Sequence, residues 1–228
     1  MLEPIRSGAR RMLTQMQADA SKDLDAEQQA RARATSVDFI EANLLDVRGY
    51  RGSTPLESKL QLLRDALASA PSGGLVLEFG VASGLTLREI ATTRPDAHGF
   101  DSFEGLPEDW RSGYEAGRFA QDPPDVNGAE LHVGWFADTL PVFLETHPGP
   151  IDFVHMDADL YSSTKTIFDC AFDRFVPGTV ILFDEYFNYP RWQQHEHKAF
   201  AEFLDHYAGG FEYLGYNAMH EQLAVRLT

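Results

Sequence analysis

Cysteine is almost absent from this chain of 228 residues, which contains only Cys170. A single thiol excludes an internal disulfide framework and any metal site that needs several cysteines. It is typical of a reducing compartment, so we expect the protein to act in the cytoplasm. Cys170 follows Ile167 and Phe168 in a predicted helix, and we expect it to be part of the core.

Long apolar runs are also missing, and basic residues are few. No segment approaches the roughly 18 apolar residues of a membrane span, and we expect neither a signal peptide nor a membrane anchor. The chain has 19 Lys and Arg against 35 Asp and Glu, a formal net charge of −16. This excess argues against binding to nucleic acid or an anionic membrane through bulk charge. With 43 % hydrophobic residues, the chain can still bury a sizeable core.

The first 50 residues differ in composition from the rest. They are rich in Ala, Gln, Arg and Asp, with no glycine between Gly8 and Gly49, and predict a helical arm or lid whose thin apolar stripe begins at Met12. After this arm, Thr54 and Pro55 predict the N-cap and first residue of a new helix. We therefore divide the chain into an arm, residues 1–50, and a main domain, residues 51–228.

Short apolar runs alternate with helical stretches after this point. Strands are predicted at 75–79, 97–100, 130–133, 151–156 and 179–183, and helices at 85–93, 139–145, 162–174 and 192–207. This alternation is typical of an α/β fold with a parallel sheet covered by helices on both faces. Residues 211–214 and 222–227 predict a closing antiparallel hairpin at the sheet edge. The long stretch 107–127, rich in Gly and Pro, predicts a surface excursion near the functional site.

A loop with two glycines follows the first of these strands. Gly80 and Gly84 allow a tight turn and a close approach of a ligand to the backbone, and Ala82 is small enough for the same contact. The spacing differs from the G-x-G-x-x-G loop that holds a pyrophosphate. Glu78 would repel a phosphate and is suited instead to a cationic or amino-bearing ligand.

Asp101 ends the second of these strands, about 20 residues after Gly80, the offset at which a carboxylate accepts ribose hydroxyls in nucleoside sites. Together with Glu78 and the small residues of the loop, it favours S-adenosylmethionine over a dinucleotide. The alternative is that the glycines serve only the geometry of the turn.

Two pairs of carboxylates, Asp157 with Asp159 and Asp184 with Glu185, follow two later strands at the edge of the sheet that binds ligands in open α/β folds. Carboxylates so close repel one another unless a cation lies among them, and oxygen ligands suit a hard ion such as Mg²⁺. We assign Asp157, Asp184 and Glu185 as metal ligands. Asp159 is the candidate general base for a hydroxyl whose pKa the ion lowers. The alternative for Asp159 is a structural role at the start of the next helix.

Four segments of the chain, residues 77–84, 99–107, 155–164 and 183–186, resemble the macrocin O-methyltransferase family. The resemblance covers about residues 50–225. It implies a class I methyltransferase with a Rossmann-like, mostly parallel sheet of seven strands and N-terminal elements that close over the substrate. It also implies a homodimer that uses S-adenosylmethionine and Mg²⁺ to methylate a sugar hydroxyl, on a methylated mannoside or polysaccharide precursor or on a glycosylated natural product.

The resemblance assigns the site residues by position. Asp157, Asp184 and Glu185 match the metal ligands and Asp159 the base. Some members carry Asp-Asp in place of Asp184-Glu185, which leaves open whether Glu185 binds the metal directly or through water. The residues predicted to bind the cofactor are Glu78, Gly80, Ala82, Ser83, Gly84, Asp101, Ser102, Phe103, Trp135, Phe136 and Asp157.

An aromatic run follows the metal-binding strand. Tyr186, Tyr189 and Trp192 predict a wall for a sugar acceptor, because sugar rings pack their C–H faces on aromatic side chains; a packed loop is the alternative. His195 is a candidate acceptor contact, although a solvent-facing position is also consistent with the pattern. His155 lies in a buried strand and is interpreted as a core histidine.

Three other functions remain open at this stage. A catechol-type O-methyltransferase has the same metal chemistry but needs a flat aromatic slot. A protein that binds S-adenosylmethionine without catalysis would not need the carboxylates at all. A nicotinamide oxidoreductase is disfavoured by the loop spacing. In each case we expect a small-molecule partner rather than nucleic acid or membrane.

Overall fold

The computed structural model describes residues 23–228 of the chain. The strands are β1 (Gly49–Tyr50), β2 (Leu75–Phe79), β3 (Ala97–Asp101), β4 (Ala129–Val133), β5 (Ile151–Met156), β6 (Val180–Phe183), β7 (Phe211–Asn217) and β8 (Leu223–Leu227). The helices are α1 (Leu24–Asn43), α2 (Pro55–Ser69), α3 (Leu85–Thr93), α4 (Phe136–Thr146), α5 (Tyr161–Ala171) and α6 (Glu196–Leu204). Among the helices of these residues, none has the length and apolar character needed to cross a membrane.

The strands form one sheet in the order β1-β7-β8-β6-β5-β2-β3-β4. All pairings are parallel except those of β8 with β6 and β7, which confirms the predicted α/β sheet and its antiparallel edge hairpin. The sheet has eight strands rather than the predicted seven. The additional strand, β1, is only two residues long and pairs Gly49 and Tyr50 with Tyr216 and Asn217 of β7. A strand this short leaves no periodic pattern in the sequence, and it joins the end of the predicted arm to the sheet.

The central strands bring the site residues together at one edge. Strands β2, β5 and β6 are almost wholly buried, as expected for parallel strands covered on both faces. Backbone hydrogen bonds continue just beyond their ends. The N–H of Asp157 donates to the carbonyl of Phe79 over 2.9 Å, and that of Asp184 donates to Met156 over 2.8 Å. The residues that follow the strands are therefore fixed in register.

Helix α2 begins where the sequence predicts. The Thr54 hydroxyl accepts a hydrogen bond from the N–H of Glu57 at 3.1 Å, and Pro55 occupies the first turn, where its missing N–H costs nothing. Leu62 and Leu63 are buried and hold the helix against the sheet. This packing places Lys59, one turn after the cap, above the edge of the sheet.

Helix α1 covers the aromatic run that follows β6. The ring of Phe39 lies 5.6 Å from Trp192 and 5.8 Å from Tyr186, measured between centroids. The indole N–H of Trp192 donates to the Thr35 hydroxyl over 3.1 Å. The arm, as far as the described residues reach, is thus packed on the main domain. The remainder of the predicted arm, including Met12, lies outside them.

Several predicted boundaries shift. The predicted helix 162–174 ends as α5 at Ala171 and continues as a 3₁₀ turn, and the predicted helix 192–207 is interrupted at His195, whose φ of −113° and ψ of −124° are not helical. Cys170 is exposed rather than part of the core, because Ile167 and Ala171 take the buried face of α5.

Candidate functional site

A cavity of about 360 Å³ opens at the carboxyl edge of the sheet. Seven of the eleven predicted cofactor residues line it, namely Gly80, Ala82, Asp101, Ser102, Trp135, Phe136 and Asp157. Asp159 and Glu185 line the same cavity, as does the segment between β3 and β4. Most of the predicted cofactor residues therefore lie at one cavity, which the excursion predicted at 107–127 also lines.

The loop after β2 is shaped by a close approach of two backbones. Gly80 has a φ of +88°, and a Cβ built there would lie 1.8 Å from the carbonyl oxygen of Asp157. Only glycine fits, since a side chain would both clash and strain the backbone. Asp101 holds the loop from the other side. Its Oδ2 accepts the N–H groups of Val81 and Ala82, each at 2.9 Å, and its Oδ1 accepts that of Phe103 at 2.8 Å.

Four predicted cofactor residues do not line the cavity. Gly84 has a φ of +74° and serves the turn, where a Cβ would meet Val126 at 2.8 Å. Ser83 is exposed, whereas Phe103 is buried in the core. Glu78 is fully buried below the floor, and its carboxylate contacts a protein side chain instead of facing a ligand.

That side chain is His155, which lies between two carboxylates. Its Nδ1 is 2.7 Å from Glu78 Oε1, and its Nε2 is 3.3 Å from Asp184 Oδ1. Burial acts to lower the pKa of His155, but the hydrogen bonds to Asp184 and Glu78 outweigh it and raise the pKa to about 10. His155 is thus the expected core histidine, and it also carries a buried positive charge at neutral pH.

A second buried cation, Lys59, was missed by the sequence analysis. Its Nζ lies 2.7 Å from Asp184 Oδ1 and 3.3 Å from Asp157 Oδ2, and its side chain is 17 % exposed. Burial opposes the charge on Lys59, but the carboxylates, Asp184 first, raise its pKa above the ordinary range. Against the effect of burial, Lys59 and then His155 hold the pKa of Asp184 well below its usual value. A lone lysine in an amphipathic helix gives no sequence signal of such a role.

Asp157, Asp159 and Glu185 form a second set, which we call the open carboxylates. One oxygen from each lies within 4.8 Å of the other two. Glu185 Oε2 is buried and has no hydrogen-bond partner among the described residues. Burial and the neighbouring carboxylates raise the pKa of Asp159 and of Glu185 well above their ordinary values. Unbalanced carboxylates in a cavity are typical of a functional site.

This set fits a hard divalent cation. All its donors are oxygens, and Glu185 Oε2, which has no hydrogen-bond partner among the described residues, is free to bind an ion. The grouping differs from the predicted one in its third member. Asp184, predicted as a ligand, also lies within 4.8 Å of Asp157 in a group with His155, but its Oδ1 already faces Lys59 and His155.

A buried glutamate supports the open carboxylates from below. Glu196, at the start of α6, is completely buried, and its Oε2 accepts the backbone N–H of Glu185 at 3.0 Å. Burial raises the pKa of Glu196 well above its usual value. This hydrogen bond joins the start of α6 to the backbone of Glu185 and so fixes its position.

The wall opposite the glycine loop comes from the segment between β3 and β4. The guanidinium of Arg111 lies 3.9 Å from the centroid of the Trp110 ring and 4.8 Å from that of Tyr114. Its Nη1 donates to Glu221 Oε1 over 3.1 Å. Trp110, Arg111 and Tyr114 all line the cavity. This aromatic and cationic wall was not identified from the sequence beyond its location.

The residues predicted to contact the acceptor lie behind that wall. Tyr186 and Trp192 are buried under α1, and Tyr189 is fully buried with its ring 5.5 Å from that of Trp110. His195 contacts the same two rings, and burial, with Arg191, lowers its pKa to about 4. None of the four lines the cavity, so within the described residues the packed-loop alternative describes the aromatic run better.

Comparison with known proteins agrees with this geometry. Residues 77–186 match the family described as "Methyltransferase domain". The fold is similar to that of CalS11, a calicheamicin methyltransferase, with 21 % identity, a TM-score of 0.60, and coverage of 90 % of this chain and 93 % of that one. An apo structure of CalS11, described as a TDP-rhamnose 3'-O-methyltransferase, gives 22 % identity and 0.54, with coverage of 90 % and 95 %.

The O-methyltransferase NovP is another structural relative, with 20 % identity, a TM-score of 0.52, and coverage of 75 % of this chain and 79 % of that one. No protein of curated function matches the chain significantly. The structural similarities confirm the predicted Rossmann-like fold.

Proposed function

We propose that this chain, a methyltransferase by its domain at residues 77–186, transfers the methyl group of S-adenosylmethionine to a hydroxyl of a sugar or glycoside. The domain supports the predicted class of enzyme and the resemblance to the macrocin O-methyltransferase family. One observation carries the finer proposal. The glycine loop with Asp101 and the open carboxylates face the same cavity, so a methyl donor and an ion-binding acceptor site adjoin.

The cofactor half is formed by backbone and small residues. Gly80 and Ala82 let a ligand approach the main chain closely. Asp101 Oδ2 already accepts two backbone N–H groups and Oδ1 accepts one, which leaves Oδ1 a second lone pair for a ribose hydroxyl. Trp135 and Phe136 provide apolar contact for an adenine ring. The acidic lining favours the positively charged sulfonium over a phosphate-bearing cofactor.

The open carboxylates carry the acid–base chemistry. Asp157 and Glu185 would hold a divalent ion such as Mg²⁺, which when bound lowers the pKa of a coordinated hydroxyl. Asp159 would accept the hydroxyl proton on its carboxylate oxygen. The backbone of Asp159, with a φ of +59°, is held in a strained conformation, as is common in functional sites.

The acceptor half favours a ring-shaped, hydroxylated substrate. Trp110 and Tyr114 offer aromatic faces for the C–H groups of a sugar, and Arg111, which lines the cavity with them, supplies hydrogen-bond donors. The description of CalS11 as a TDP-rhamnose 3'-O-methyltransferase is consistent with such an acceptor.

The test is a mass-spectrometric methylation screen of glycosides and catechols with S-adenosylmethionine, with and without EDTA. We expect methylated glycosides in the absence of EDTA only. Asp159→Asn should abolish the product, whereas Asp173→Asn, a matched change on an exposed turn, should not. Turnover only on catechols would contradict the sugar assignment, and turnover insensitive to EDTA would contradict the role of the ion. Binding of S-adenosylmethionine without any product across the screen would favour a non-catalytic protein.

A further inference from the structure

A cluster of three histidines and a glutamate lies away from the cavity. His98 is on β3, Glu130 and His132 are on β4, and His147 directly follows α4. His98 is three residues before Asp101, about 10 Å along the strand, so the cluster lies toward the opposite edge of the sheet. The proposed methyl transfer makes no use of these side chains.

The cluster has the spacing of a metal site. His98, Glu130 and His147 each offer one ligand atom, and these atoms lie within 4.8 Å of one another. The His98 Nδ1 is 3.7 Å from Glu130 Oε2. In a tetrahedral zinc site, with ligands about 2.0–2.2 Å from the ion, neighbouring ligand atoms are about 3.3–3.6 Å apart. Small side-chain rotations would therefore close the group around an ion.

Hydrogen bonds and ring contacts already fix the orientation of the histidine rings. The His147 Nδ1 lies 3.0 Å from the carbonyl oxygen of Phe143 and 3.0 Å from the Thr146 hydroxyl. A proton on Nδ1, donated to that carbonyl, leaves the lone pair of Nε2 free, which is the arrangement that orients metal-binding histidines. The Phe143 ring contacts all three imidazoles, with centroids 4.7, 4.9 and 4.1 Å from His98, His132 and His147.

The protonation states suit a cation as well. Burial and the neighbouring imidazoles lower the pKa of His98, and burial lowers that of His132, so both rings are neutral at pH 7. The neutral imidazole is the form that binds metals. Glu130 is exposed and contributes the negative charge.

We propose that His98, Glu130 and His147 form a Zn²⁺ site at the edge of the sheet. Binding through His98 Nδ1 would replace its contact of 3.2 Å with His132 Nε2, because a metal-bound nitrogen has no proton or free lone pair for that hydrogen bond. Imidazole and carboxylate ligands suit zinc, whereas Mg²⁺ prefers oxygen ligands alone. The ion would tie β3 and β4 to the end of α4. Because it would bind the folded chain preferentially, it would raise the thermal unfolding temperature.

The test uses the untagged, metal-free full chain in excess Mg²⁺, so that the ion proposed for the open carboxylates is supplied and Zn²⁺ has to compete with it there. We expect calorimetric titration with Zn²⁺ to show one equivalent bound and a rise in the unfolding temperature. Glu130→Gln and His147→Gln should each weaken binding at least tenfold and abolish the rise, whereas His206→Gln, an exposed histidine after α6, should change neither.

Glu130 is exposed on the edge strand, so Glu130→Gln should fold normally and carries the test if another variant does not. Failure of the wild-type chain to bind Zn²⁺, or equally tight binding by Glu130→Gln and His147→Gln, would overturn the proposal. Neither result would affect the methylation screen, because the cluster takes no part in the proposed methyl transfer.

Discussion

Two sets of carboxylates lie at the same edge of the sheet and differ in how their charge is balanced. Glu78 and Asp184 contact His155, and Asp184 also contacts Lys59, so the chain itself supplies their cations. Among the described residues, Asp159 and Glu185 form no salt bridge, and burial and the neighbouring carboxylates raise their pKa values. Unpaired buried carboxylates cost stability, so a fold that retains them beside a paired set is typical of one that holds them for a ligand.

The largest effect should come from the open carboxylates. We expect Asp159→Asn to lower the rate of methyl transfer by about 10²–10⁴-fold, the usual contribution of a general base. The free energy of unfolding should not fall, because the change removes a carboxylate that its neighbours already repel. Steady-state kinetics and urea denaturation measure the two quantities. A variant with wild-type turnover would remove Asp159 from the mechanism.

The paired set should show the opposite behaviour. Lys59→Met leaves Asp184 without its closest cation, so the free energy of unfolding should fall by about 3–5 kcal/mol, as when one partner of a buried ion pair is removed. Lys198→Met, which breaks a solvent-screened pair with Glu202, is the control and should leave the free energy of unfolding nearly unchanged. If both variants lost the same free energy of unfolding, the buried pair would contribute no more to stability than the exposed one.

The charge on His155 should give a pH dependence. Its pKa is raised from 6.5 to about 10 in the folded chain. The stabilisation from His155 is therefore complete below about pH 6.5 and is lost as the pH rises toward 10. We expect the free energy of unfolding of the metal-free protein to decline over this window, and His155→Gln to flatten the decline. An equally steep decline in the variant would place its cause elsewhere.

The smallest effect on catalysis should come from the wall formed by Trp110, Arg111 and Tyr114, which we propose contacts the acceptor. Arg111→Lys keeps the charge but removes the planar stacking on Trp110, so the KM for the acceptor should rise about two- to fivefold, since such contacts contribute about 0.5–1 kcal/mol. The kcat should change little, because Arg111 takes no part in the proposed proton or methyl transfer. Arg191→Lys, on an exposed turn, is the control. A fall in kcat with unchanged KM would instead connect Arg111 to the chemical step.

The part of the cavity around the glycine loop could be predicted because its residues are close in sequence. The loop from Gly80 and the strand end at Asp101 form a continuous strand-turn-helix pattern, and each carboxylate pair directly follows an apolar strand. Parallel strands deliver such positions to one edge by topology alone. Local rules of this kind also identified the Thr54 cap and the start of α2.

The other features of the site depend on contacts between residues far apart in the sequence, which no local pattern predicts. Lys59 reaches Asp157 across 98 residues of sequence. Tyr186 and Trp192 are of the residue types that pack against sugar rings, but α1 covers them. Glu78 has the right type and position for a ligand contact, yet its side chain points to His155. In each case the direction of a side chain was decided by its tertiary neighbours.

Manganese binding, measured by electron paramagnetic resonance, tests most directly whether the open carboxylates bind a divalent metal ion. We expect the wild-type chain to bind one Mn²⁺ in competition with Mg²⁺, and Glu185→Gln to weaken that binding at least tenfold because Glu185 supplies the unpartnered oxygen. Asp173→Asn should bind Mn²⁺ as the wild type does. Wild-type affinity in Glu185→Gln would contradict the division of the carboxylates into a paired and an open set.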